Sequence, residues 1–64
     1  MDEKILKKIR KHKISLMQDP ESDAVVVFSK DKPLGPAEKI LNKEGYKFVK
    51  AFSLAGLSAA RFEK

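Results

Sequence analysis

A chain of 64 residues with no cysteine and a formal net charge of +5 has room for one small domain and excludes disulfide staples and thiolate metal sites. At this length only about 60% of the unfolded surface can be buried, so the fold is marginal as a lone monomer. The longest clean apolar run, Ala24 to Phe28, is far short of the ~18 to 20 residues that span a bilayer. Asp2 and Glu3, with no apolar stretch behind them, do not read as a secretory leader, so a soluble, cytoplasmic protein is expected.

The segment Glu3 to Lys13, EKILKKIRKHK, carries seven Lys, Arg or His side chains in eleven residues. Asp2 to Lys11 reads as a helix. Ile5, Leu6 and Ile9 fall on one side, while Lys4, Lys7, Lys8 and Lys11 fall on the other at helical spacing. Asp2 and Glu3 occupy the first turn, where the helix dipole favours negative charge. From Lys13 the period changes, and Ile14 and Leu16 alternate with Lys13 and Ser15. Asp19-Pro20 then has the residues of a type I turn. The β-branched run Val25 to Val27 reads as a strand buried on both faces. Together these predict a β-hairpin over residues 13 to 30.

KDKPLGP is a loop. Gly35 and Pro36 are placed to open a helix, with Pro36 at its first position. AEKILNKEG continues that helix, and Gly45 is placed to stop it. YKFVKAFSL and LSAARFEK then alternate as two strands around Ala55-Gly56, a second hairpin.

The expected class is α+β in the order α-β-β-α-β-β, as a single domain. Its halves resemble each other. EKILKK at Glu3 aligns with EKILNK at Glu38, and FSK at Phe28 aligns with FEK at Phe62. An internal duplication with units 2–30 and 37–64 follows from that periodicity. It predicts a four-stranded antiparallel sheet with both helices on one face, related by a pseudo-two-fold axis.

Within the second half, Leu41, Asn42, Gly45, Tyr46 and Val49 make residues 24–64 similar to a family of small uncharacterised bacterial β-α-β-β domains. That family's usual tryptophan is Tyr46 here, and this chain adds a helix and a strand before the shared segment. The resemblance implies the fold and supplies no catalytic residues.

The residues offer little for catalysis. His12 is the only histidine and sits in a lysine run that opposes both its protonation and a bound metal. Asp19, Glu21 and Asp23 have the spacing of the start of a calcium loop but lack its glycine and its bidentate Glu. No serine has a base at hand beyond His12 and lysines. Lys30 and Lys32 precede a helix start, but Pro36 removes a donor that a phosphate cradle would use. No catalytic, cofactor or metal residues are assigned.

Two interaction readings remain. Twelve of the fourteen basic residues are lysine, which suits non-specific phosphate contact better than base readout. Lys4, Lys7, Lys8, Arg10 and Lys11, with Lys39 and Lys43 of the second helix, form a candidate nucleic-acid face. Tyr46, Phe48 and Phe52, reading as one side of a strand with Lys50, could add base stacking. A membrane-surface helix is disfavoured, because the apolar stripe Ile5, Leu6 and Ile9 is small and is needed to cover the sheet. Against the nucleic-acid reading stands the sheet itself: with helices on one side, the apolar residues of the other side need a cover. Val26, Phe28, Phe48 and Phe52 are the candidate dimer face. The leading expectation is a non-enzymatic binding or regulatory module that forms a homodimer and contacts an unknown protein partner. Nucleic-acid binding through the lysine faces is the alternative.

Overall fold

The computed structural model describes residues 2–64. Helix α1 runs Glu3–Arg10, strands β1 Ser15–Gln18 and β2 Val25–Ser29 follow, then helix α2 Gly35–Lys43 and strands β3 Lys47–Leu54 and β4 Leu57–Glu63. The four strands make one antiparallel sheet in the order β1-β2-β4-β3. The fold is α+β.

Local chemistry explains where the elements start and stop. The Asp2 carboxylate caps α1 by accepting the Lys4 amide at 2.9 Å, which satisfies a donor that the helix itself leaves free. The helix unwinds through Lys13, held at φ +62°. Pro36 lies in the first turn of α2. At the other end Gly45 takes φ +92°. Its amide donates to the Asn42 carbonyl and the Tyr46 amide to the Leu41 carbonyl, at 3.1 and 3.0 Å. This paired closure with a glycine in the left-handed region is a Schellman stop, and the apolar contact that accompanies it falls to Leu41 and Tyr46, both buried. Between β1 and β2 the Asp19 carboxylate accepts the Glu21 amide at 2.9 Å, and the Ser22 amide reaches the Asp19 carbonyl, the hydrogen bonds of a turn opened by Asp-Pro.

The core lies between the helices and one face of the sheet. Ile5 and Ile9 of α1 and Ala37 and Leu41 of α2 pack with Ile14, Val25, Val27, Tyr46, Ala60 and Phe62. Phe62, Ile9, Ile14, Leu41, Val25 and Val27 are its largest fully buried members, each contributing about 1.5–3 kcal/mol through removal from water. Buried Ser29 ties the layers together. Its hydroxyl donates to the Lys13 carbonyl at 3.3 Å and accepts the Lys32 amide at 3.2 Å. The loop after α1 and the loop before α2 therefore share one anchor.

Strand order follows composition. The predominantly apolar β2 and the alanine-bearing β4 take the centre, while the four-residue β1 and the lysine-bearing β3 take the edges. Short, charged or irregular edges resist pairing with further strands. Strand β2 departs from the expected double burial. Val25, Val27 and Ser29 are buried, but Val26 and Phe28 are only half covered, because no helix lies over their face.

Each half of the chain is a helix followed by a hairpin, but the aligned Ile-Leu pairs are used differently. In α1 Ile5 is buried and Leu6 half exposed, whereas in α2 Leu41 is buried and Ile40 half exposed. One residue of helix is about 100° of rotation, so the two helices present different faces of the same motif to the sheet.

The β3–β4 turn holds both Ala55 and Gly56 at positive φ, +51° and +81°, the pattern of a two-residue type I′ hairpin turn. Alanine there carries strain that asparagine tolerates. Ala55→Asn should raise stability by about 0.5–1 kcal/mol, a few degrees in Tm, and Gly45→Ala should lower it by about 1–2 kcal/mol. Thermal unfolding of the two variants checks both signs.

Candidate functional site

The sheet face away from the helices is assembled from three cross-strand rows. Met17, Val26, Arg61 and Lys50 form one, and Ser15, Phe28, Ala59 and Phe52 the next. Leu54 and Leu57 close the hairpin end. Pairing fixes this composition, since residues opposite each other across antiparallel strands share a face. Met17 is 52% and Leu54 39% exposed, and Val26, Phe28, Phe52 and Leu57 are half exposed. Among the described residues no segment lies over this face.

Charge gathers on the β4 and β3 side of the patch, in the row of Arg61 and Lys50 and in the row beyond it. Lys47 pairs with Glu63 across the strands, the Arg61 Nε lies 3.5 Å from a Glu63 carboxylate oxygen, and the Lys50 ammonium sits 5.5 Å from the centre of the Phe52 ring. A hollow of about 260 Å³ opens beside the β1–β2 turn, between Met17, Val26, Asp19, Pro20 and Arg61.

Phe48 does not belong to this face, and its assignment beside Val26, Phe28 and Phe52 is corrected. Phe48 pairs with Phe62, but the next register position couples Lys50 to Arg61, leaving Val49 as an extra residue. Such a bulge breaks the alternation of side chains. Phe48 consequently turns to the helix side, where it meets Phe62 edge-on with ring centres 5.8 Å apart and lines a small hollow with Leu34, Ala51 and Ala60. Phe52 stays on the open side. Tyr46 is buried in the core. The row of aromatics expected to stack bases is therefore split among the core, the helix-side edge and the open face.

The helix layer carries the cations. Lys4, Lys7, Lys8, Arg10, Lys11, Lys39 and Lys43 are all exposed. The only ion pair among the described residues is Arg61–Glu63, so no carboxylate lies within bridging distance of any of the seven. The structure divides them. Lys8 and Lys11 meet Lys43 of α2 in a cleft of about 310 Å³ between the helices, whose other lining residues are His12, Ile40 and Glu44. Lys7 and Arg10 lie on the far flank of α1, beside Glu3 and Leu6. Lys39 borders a neighbouring hollow lined by His12, Pro36 and Ile40. His12 was not a candidate from sequence. Its position one turn beyond Lys8 is the signal that could have placed it on the same edge of α1.

Among the described residues no group of three His, Asp or Glu side chains could hold a metal ion, and no helix is long and apolar enough to cross a membrane. The Asp19 carboxylate is engaged in its turn. The Glu21 amide is the largest influence and holds its pKa below the ordinary carboxylate value, against desolvation, with the Ser22 hydroxyl and the positive charge of Arg61 adding smaller lowering effects. A depressed folded-state pKa gives stability that is present above the unfolded-state value and is lost as pH falls through the folded value. Carboxyl NMR titration should place Asp19 below the aspartates of unstructured peptides. A midpoint at or above theirs would remove this contribution.

No family model, curated protein or solved structure matches this chain.

Proposed function

We propose that the protein is a small non-enzymatic binding module that acts through protein–protein contact, and that its open sheet face pairs with a second copy of the chain. The uncovered apolar face of β1, β2, β4 and β3 carries this reading. On this face, water-exposed Met17 and Leu54 beside half-covered Val26, Phe28 and Phe52 gain from a third, apolar layer.

The face suits its own copy. The row of Ser15, Phe28, Ala59 and Phe52 is uncharged, and the charged side chains, of both signs, gather on β4 and β3, with Lys47, Lys50 and Arg61 beside Glu63. A two-fold arrangement brings the same patch to both sides, so the Glu63 of one copy can meet the cations of the other. Two sheets meeting in this way form a sandwich with facing layers about 10 Å apart.

Size sets the strength. Four strands spaced by about 4.8 Å and about five residues long at about 3.4 Å each give a face of roughly 19 by 17 Å, on the order of 320 Å² in projection, well below the ~800 Å² per partner of a standard stable interface. The dimer should therefore form and dissociate with concentration. An exchangeable interface of this kind also leaves the face available to another protein with a matching apolar surface.

Sedimentation equilibrium from low micromolar to millimolar concentration tests the reading. The expected result is a monomer–dimer equilibrium that shifts to monomer in Phe52→Lys and in Met17→Lys, with circular dichroism unchanged in the latter. A concentration-independent monomer, or a dimer that survives both substitutions, would overturn it.

A further inference from the structure

We infer that the cleft between α1 and α2 binds single-stranded nucleic acid, with phosphates held by Lys8, Lys11 and Lys43 and a base resting on the apolar floor beside His12. The site lies on the opposite side of the sheet from the open face and does not depend on dimer formation.

Three observations lead there. The first is charge. Six cations and two carboxylates lie between Asp2 and Lys13, so this segment supplies four of the five net positive charges, and among the described residues none of its cations is bridged to a carboxylate. Unpaired cations close together raise the local concentration of anions and release counterions when phosphate replaces them.

The second is shape. Lys8 of α1, Lys11 at the C-terminal cap of that helix and Lys43 of α2 meet in a concave cleft of about 310 Å³, whereas a merely solvated lysine stripe would stay on one convex helix. Concavity brings several cations to one anionic group. It also separates Lys8 and Lys11 from Lys7 and Arg10, which the linear pattern alone had grouped together.

The third is the floor. The cleft continues past His12 and Ile40 into a hollow of about 480 Å³ lined by Pro36, Lys39 and the helix start at Gly35. Ile40 is one of the partly buried apolar residues packed against the core. A purely inorganic anion has no use for an apolar wall beside its cations. A nucleotide chain does, because it alternates phosphates with flat apolar bases, and histidine is among the side chains on which unpaired bases stack. Duplex nucleic acid keeps its bases stacked inside and offers this wall nothing, which favours a single strand. Twelve lysines and two arginines fit backbone contact with little sequence preference. Glu44 is the one carboxylate in the cleft and opposes phosphate there.

Fluorescence anisotropy with a labelled single-stranded oligonucleotide, at two salt concentrations, tests the inference. Binding should weaken with salt, and the slope of log affinity against log salt should fall by about 0.7 for each cleft lysine neutralised. Lys8→Gln, Lys11→Gln and Lys43→Gln should each weaken binding several-fold more than Lys7→Gln or Arg10→Gln, although every one removes a single charge. Glu44→Gln should tighten binding, and Ile40→Ala should weaken it at unchanged charge. Equal losses from both flanks of α1 would reduce the effect to overall charge and overturn the site. So would competition by inorganic polyphosphate or by duplex as effective as that by the single strand, since neither uses the apolar floor.

Discussion

The structure depends on the need of a four-stranded sheet to protect two faces when the chain provides helices for one. Strand β2 shows the constraint most directly. Val25, Val27 and Ser29 point into the layer sealed by α1 and α2, while Val26 and Phe28 point the other way and remain half covered. A β-branched run of this kind gains from burial on both sides, and within the described residues only one side receives it. The hydrophobic free energy left unused on the other side is what makes the open face the natural place for association.

The bulge at Val49 decides how the aromatic residues are shared between those faces. One extra residue in β3 sends Phe48 against Phe62 on the helix side and leaves Phe52 opposite Ala59 on the open side. Without it the two would share a face. The alternation of Phe48, Lys50 and Phe52 runs unbroken in the sequence, and nothing local marks Val49 as unpaired, because a bulge is settled by the partner strand. Element order, by contrast, was legible throughout. Pro36 in the first turn of α2, Gly45 as a stop and Ala55-Gly56 as a hairpin turn each act through backbone chemistry that belongs to the residue itself, whereas Asp2, expected inside the first turn of α1, caps that helix instead. The repeated Ile-Leu pair shows the limit of pattern matching. Identical residues sit in both helices, yet Ile5 is buried in one and Leu41 in the other, since helix rotation is set by packing against the sheet. The basic cleft was half legible for the same reason: the lysines of α1 are plain in the sequence, but which of them face α2 is fixed only when the helices dock.

The two surfaces have opposite characters and do not compete. The open face is largely apolar, with charge of both signs gathered on its β4 and β3 side. The helix layer is cationic, and its unpaired lysines meet around an apolar floor. In the proposed dimer the sheets come together at the centre and each interhelical cleft faces outward. Such a particle would carry two cleft sites on opposite sides, and two weak contacts on one strand reinforce each other through effective concentration.

The pairing of open faces is the central claim, and a dilution series followed by amide chemical shifts tests it most directly. As concentration rises, the account predicts shifts that concentrate on Met17, Val26, Phe28, Phe52 and Leu54 and leave the amides of α1 and α2 unmoved. Shifts centred on the helices, or none up to millimolar concentration, would contradict it.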